Sequence, residues 1–170
     1  MRIIKSLAVV NAALAFFTSF AVHAGESASL LAGAETYNLR VSVYADSACA
    51  IDQTAIKTLA QRQFGRAPRL REVAEQAIPD IILTITVDIS AIPSPETPEL
   101  CMYNVNARAI HPMVGRFRYS NRSQVIQAMT FNKSMFGVIV PPKVQEAVEI
   151  QSDKVLGMFL DEYALGNPRP

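Results

Sequence analysis

From Tyr37 onward apolar and polar positions alternate. Leu39, Val41 and Val43 fall on one side, and Asn38, Arg40 and Ser42 on the other. Period two predicts a half-buried strand over residues 37–45. The period then changes. Ala55, Ile56, Leu59, Ala60 and Phe64 recur at helical spacing. Asp52 stands where a carboxylate can accept N–H groups of the first turn, and Gly65 supplies a stop. Residues 66–80 are broken by Pro68 and Pro79, with room for one short helical turn through "REVAEQA".

The clearest alternation is "DIILTITVDIS", where Ile81, Leu83, Ile85, Val87 and Ile89 share a face. Ile82, Thr84, Thr86 and Asp88 share the other. One apolar and one wetter face argue for an antiparallel sheet. "AIPSPETPE" must be a loop, because three prolines cannot donate to a ladder. "LCMYNVNARAI" repeats the alternation, with Cys101, Tyr103, Val105, Ala107 and Ala109 inward and Met102, Asn104, Asn106 and Arg108 outward. Residues 111–123 read as a long hairpin tip, and "QVIQAMTFNKSMFGVIV" as a third and a fourth strand. Pro141 and Pro142 open a last helix. Its stripe is Val144, Val148, Val155, Phe159 and Tyr163, widened by Ala147, Met158 and Leu160. Gly166 offers a left-handed cap, and Asn167-Pro168 blocks extension.

The order is β-α-β-β-β-α. It predicts an α+β fold: an antiparallel sheet of three or four strands with two helices packed on one face. There is no internal repeat.

The first 24 residues change the picture. Arg2 and Lys5 precede an apolar run, and small Val22 and Ala24 stand third and first before Gly25. This is the pattern of a cleavable bacterial signal peptide. The expected division is signal peptide 1–24, flexible lead-in 25–36 and one α+β domain over 37–168. The expected location is the periplasm, with full secretion as the alternative. The leader holds two of 16 basic residues and none of 15 acidic ones, so the remainder is near neutral at −1. No field selects nucleic acid or an anionic surface. No later apolar run reaches the length of a membrane span, so stable insertion after leader removal is not expected.

Only two cysteines are present, Cys49 and Cys101. In an oxidising compartment they are expected to form one disulfide, with Cα atoms about 4.4–6.8 Å apart.

The stretches "IPDIILTITVDI", "LCMYNVNARAI", "MTFNKSMFGV" and "FLDEYALGNP" occur in a telling order. Together they resemble a group of small exported bacterial proteins without an assigned activity. Those proteins close on a helix with a phrase like "FhxDYLxxNP", h being apolar. The resemblance spans most of residues 37–168. The chain departs from it in having no Trp, where such proteins often carry a "TWxxG" segment. The layout is also distantly similar to envelope-assembly domains such as the amino-terminal domain of TolB. The resemblance implies an uncharacterised periplasmic module and supplies no catalytic residue.

Catalytic chemistry finds little footing. His111 is the one His after the leader, next to Pro112, and no G-x-S-x-G elbow is present. A glycosidase-like pair would draw on Asp46, Asp52, Asp88, Glu96, Glu99, Asp161 and Glu162. Asp52 reads better as a cap, Asp88 as the wet face of a strand, and Asp161 and Glu162 as a solvated helix face. No metal cluster, phosphate loop or cofactor motif stands out. The distinctive polar stretch is "GRFRYSNR", where Arg116, Arg118 and Arg122 interleave with Phe117 and Tyr119. Arg and aromatic side chains are common binding anchors. The outward face Thr84, Thr86, Asn104, Asn106 and Arg108 is a second candidate surface.

The sequence therefore predicts a non-enzymatic periplasmic domain that binds another envelope component, a protein. Two alternatives are a secreted inhibitor of a lysozyme or protease using the 111–123 loop, and a small carboxylate-dependent hydrolase.

Overall fold

A computed structural model of the protein describes residues 30–93, 100–116 and 123–168. The elements are β1 (Thr36–Ala45), α1 (Gln53–Phe64), β2 (Arg71–Glu72), β3 (Ile81–Ile92), β4 (Leu100–Arg116), β5 (Ser123–Ile139) and α2 (Val144–Gly166). Short 3-10 turns lie at Ser47–Cys49 and Pro141–Lys143. The architecture is α+β, as the alternating and helical patterns predict.

The sheet differs from the expectation in two ways. It has five strands, in the order β2-β1-β3-β4-β5, and it is mixed. β1 runs parallel to both β2 and β3, while β3-β4 and β4-β5 are antiparallel. The cause is the crossover. The chain leaves β1, passes through α1 and returns as β3 alongside, which is how parallel neighbours are joined. Alternation suggested antiparallel pairing because it reports one wet face, and a parallel pair covered on one side looks the same.

The helices and the inward strand residues form one core. Ile81, Leu83, Ile85, Val87, Val105, Ala107 and Ala109 are buried together with Ile56, Phe64, Val148, Val155 and Phe159. An aromatic chain crosses this core from β1 to β5. Tyr37 on β1 stacks on Phe64 of α1, with centroids 4.3 Å apart. Phe64 meets Phe159 of α2 at 5.8 Å, and Phe159 meets Phe131 of β5 edge-on at 5.4 Å. Offset and edge-to-face pairs suit the ring quadrupoles. Burial pushes the Tyr37 hydroxyl pKa up to about 12, with Glu72 adding to the effect.

Local signals explain the helix ends. Asp52 accepts the Thr54 N–H at 2.7 Å, and its own N–H donates to Gln145 Oε1 of α2. The Pro141–Lys143 turn precedes α2, whose stripe is buried except for Met158 and the half-buried Leu160. Gly166 keeps helical geometry, contrary to the expected left-handed cap; Asn167 ends the helix at φ −131°. The side chain of Asn167 has a different task. Its Nδ2 donates to the carbonyls of Leu31 and Tyr163, and its Oδ1 accepts the Gly33 N–H. Tyr163 donates to the Ala34 carbonyl at 2.8 Å. The closing phrase "DEYALGNP" thus clasps the turn at residues 31–34, with Leu31 fully buried beneath it.

The start of β1 is tied separately to the start of β3. Asp80 accepts from the backbone N–H groups of Glu35 and Thr36 and from Thr36 Oγ1, while its own N–H donates to Thr36 Oγ1. Burial raises its carboxyl pKa, but those hydrogen bonds, with help from His111, outweigh burial and hold it below the usual carboxylate value. At the opposite end Cys49 and Cys101 form a disulfide with Cα atoms 5.9 Å apart. It closes a separation of 52 residues and fixes the 47–49 turn to β4. Loop entropy puts its contribution at about 4 kcal/mol.

Candidate functional site

The helices occupy one side of the sheet. Among the described residues nothing packs on the other side, so the strand registers read as rows across an open surface. One row is Tyr44, Asp88, Asn104 and Phe136; the next is Ser42, Thr86, Asn106 and Ser134; the third is Arg40, Thr84, Arg108 and Asn132. Met102 faces Val138 beyond the first row.

The middle of this surface is polar and internally bonded. Asn106 Nδ2 donates to Asn132 Oδ1 at 2.9 Å and to Ser134 Oγ at 2.7 Å. Arg40 Nε donates to Asn38 Oδ1. At the end nearest Ala45 the β4–β5 side is apolar instead. Phe136 is 85 % exposed, Tyr44 64 %, Val138 55 % and Met102 50 %. Met102, Phe136 and Val138, three large apolar side chains on the adjacent strands β4 and β5, are more than scattered exposure; Tyr44 stands at the far end of the first row, beyond Asp88 and Asn104.

Strand β5 adds a second feature, since it is a 17-residue edge with no outer neighbour among the described residues. Long exposed edges template pairing with other chains, and an inward-facing charge is a common guard. Lys133, opposite Ala107 on the helix side, stands in that position. Near the end of the edge Tyr103 lies over Gly137, its register partner. A Cβ at 137 would collide with the Tyr103 ring and hydroxyl.

The ladder runs further than the sequence suggests. Residues 111–116, expected in the hairpin tip, belong to β4, and pairing continues to Arg116 opposite Ser123. Thr130 is an extra residue on β5: Ala109 pairs with Phe131 and Ile110 with Met129. The bulge shifts the facing of everything before it, so Met129 and Val125 join the open side.

The predicted binding residues divide accordingly. Arg116 is the last residue of β4, and Phe117, Arg118, Tyr119 and Arg122 lie outside the described residues. The outward set Thr84, Thr86, Asn104, Asn106 and Arg108 lies together on the open face. Sequence reasoning missed Phe136, Val138 and Tyr44. The one available signal was an apolar residue at even positions of "SMFGVIV", out of phase with inward Phe131 and Met135.

The candidate carboxylates among the described residues are spread over separate elements. Asp46 accepts the Ala91 N–H at 2.8 Å, and Asp52 caps α1. Asp88 stands on the open face, Asp161 and Glu162 stand on α2, and Glu96 and Glu99 lie outside the described residues. Among the described residues no three His, Cys, Asp or Glu side chains gather as a metal site would require. His111 is half-buried on β4, with Nδ1 3.4 Å from the Leu30 carbonyl. No helix among the described residues is long and apolar enough to cross a membrane.

No family model matches the chain, and no curated protein matches it. Solved structures do share part of its layout. A PelC dodecamer from Paraburkholderia phytofirmans aligns with a TM-score of 0.44 at 15 % identity, covering 74 % of this chain and 87 % of that one. A DUF330 protein from Xanthomonas campestris gives 0.45 at 10 %, covering 76 % and 85 %. The rare lipoprotein B of Shewanella oneidensis gives 0.33 at 12 %, covering 75 % and 93 %. At these scores the likeness concerns layout, and the functional argument rests on this chain's own residues.

Proposed function

We propose that this chain is a non-enzymatic domain of the bacterial cell envelope whose open sheet face receives another envelope protein. One observation carries the reading: Phe136, Val138 and Met102 are exposed together on β4 and β5 at one corner of an uncovered, otherwise polar face. Aromatic and Met side chains beside a polar, hydrogen-bonding surround are the composition of a protein-binding patch. The "GRFRYSNR" stretch, which follows β4 in the sequence, belongs to the proposal through Arg116, Phe117, Arg118, Tyr119 and Arg122.

The test is crosslinking in living cells. A photoreactive residue replaces Phe136, with a control at Thr58 on the outer side of α1 and a third at Tyr119. The reading expects one dominant protein adduct at Phe136, absent at Thr58. Equal labelling at Phe136 and Thr58, or none at Phe136, would remove its support.

A further inference from the structure

The rows of the open face differ in kind, and two more lie beyond the three already described. Ser90, Met102 and Val138 stand outside the row of Asp88. Asn38, Ile82, Ile110 and Met129 stand outside the row of Arg40 and Arg108. Both outer rows are largely apolar: Met102, Val138 and Met129 are exposed, and Ile82 and Ile110 are half-buried. The row of Ser42, Thr86, Asn106 and Ser134 lies midway and carries no charge. From one end of the face to the other the order is apolar, acidic, uncharged, basic, apolar.

These charges do not meet within one chain. Asp88 stands four residues along the strands from the level of Arg40 and Arg108, about 13 Å away. All three side chains are exposed. The one ion pair among the described residues, Arg71–Glu35, involves none of them.

A second copy turned by half a turn about the middle row presents the same order reversed. Residues that meet across such an axis do so reciprocally. Asp88 of each copy comes over Thr84 of the other, between Arg40 and Arg108. Met102 comes over Ile110, and Val138 over Met129. Acid thus meets base, and apolar meets apolar. Half a turn about an axis along the strands would instead lay the arginine row on itself. Sheets packed face to face lie about 10 Å apart with strands within about 30° of alignment, which arginine and aspartate side chains can bridge. The size suits as well. Four strands about 4.8 Å apart and five rows about 6.6 Å apart project to roughly 600 Å², and side-chain relief raises this towards the ~800 Å² per partner of a standard interface.

We propose that the open face is the interface of a face-to-face homodimer, with its two-fold axis along the row of Asn106 and the helices of both copies outside. The proposal rests on the reading that this face receives a protein, and names that protein as a second copy of this chain. An interface with a polar centre belongs at the weak end for its area, with Kd on the order of 10 µM, so the protein is monomeric when dilute and paired where it is concentrated.

The test is sedimentation equilibrium of the disulfide-bonded protein without its leader, from micromolar to millimolar concentration. The parent should pass from monomer to dimer. Asp88→Arg should raise Kd roughly tenfold or more, as should the double variant Arg40→Asp/Arg108→Asp, because each sets like charges opposite one another. All three positions are exposed, and circular dichroism checks that the fold is kept. An equimolar mixture of the two variants should associate again as a heterodimer, since every acid row then faces a basic row. A monomer at every concentration, a Kd indifferent to both variants, or a mixture that stays monomeric would overturn the proposal. Crosslinking at Phe136 separates this from the broader reading. An adduct of two identical chains supports the dimer. An adduct with a different protein overturns the dimer and leaves the receiving face intact, and no adduct removes both.

Discussion

The same substitution at two phenylalanines should behave in opposite ways. Phe159 is fully buried between the rings of Phe64 and Phe131; Phe136 is 85 % exposed on the other side of the sheet. Truncating a buried Phe to Ala typically costs about 3–5 kcal/mol from lost transfer energy plus the cavity left behind. Phe159 also loses two aromatic partners, which places it towards the upper end. Phe136 has little area out of water to lose, so Phe136→Ala should stay within about 0.5 kcal/mol. A domain of this size shifts in Tm by roughly 2–4 °C per kcal/mol. Phe159→Ala should therefore melt about 6–20 °C below the parent, and Phe136→Ala within about 2 °C. Urea and thermal unfolding followed by far-UV circular dichroism, with the disulfide intact, would read both; the chain has no Trp to report by fluorescence. A loss at Phe136 comparable to that at Phe159 would mean that this face is covered within the molecule. The reasoning about an open surface would then fail.

Further outcomes follow from the clasp, the disulfide, the glycine and the titrating groups. Tyr163→Phe strands the Ala34 carbonyl and should cost about 1 kcal/mol, and Asn167→Ala, which removes three bonds, about 1–3 kcal/mol in urea unfolding. Replacing Cys49 and Cys101 by Ser should lower stability by about 2–5 kcal/mol; a change near zero would contradict the loop-closure argument. Gly137→Ala should cost about 1–3 kcal/mol through displacement of Tyr103, and Tyr103→Ala in the same chain should cancel part of it in a double-mutant cycle. The Asp80 carboxyl is depressed in the folded state. Its contribution is complete above the unfolded carboxyl pKa and disappears as pH falls through the lower folded value. Asp80→Asn should flatten that acid limb of a stability-pH curve. Tyr37 works in the other direction: with its folded pKa at about 12, its contribution is complete below the ordinary tyrosine value of 10.0 and is lost as pH rises through about 12. Tyr37→Phe should remove that alkaline loss.

What the sequence reveals depends on how each residue is buried. Residues 81–89 and 101–109 alternate cleanly because one flank meets helices and the other meets water, and their inward sets are those buried. The stripe of α2 is legible for the same reason, apart from Met158. β1–β3 parallelism is not legible, because pairing direction is set by the crossover through α1 rather than by side-chain period. β2 escapes notice since two exposed residues, Arg71 and Glu72, carry no pattern. Strand β5 is obscured twice. Its Thr130 bulge puts residues 125–129 out of phase with 131–139, and its open face carries Phe136 and Val138 where polar residues would have marked water. The second effect hid the candidate site itself: an apolar residue kept for a partner looks, in sequence, like one kept for the core.

The open face has its own reporters. Met102 stands on it, half exposed, and Met158 is similarly exposed on the far side of the molecule, on α2. Hydroxyl-radical footprinting would compare their oxidation rates in the purified protein and in isolated envelopes. The account predicts that Met102 becomes protected in the envelope at least severalfold while Met158 keeps its rate. Unchanged oxidation of Met102, or equal protection of both, would contradict a partner seated on the open face.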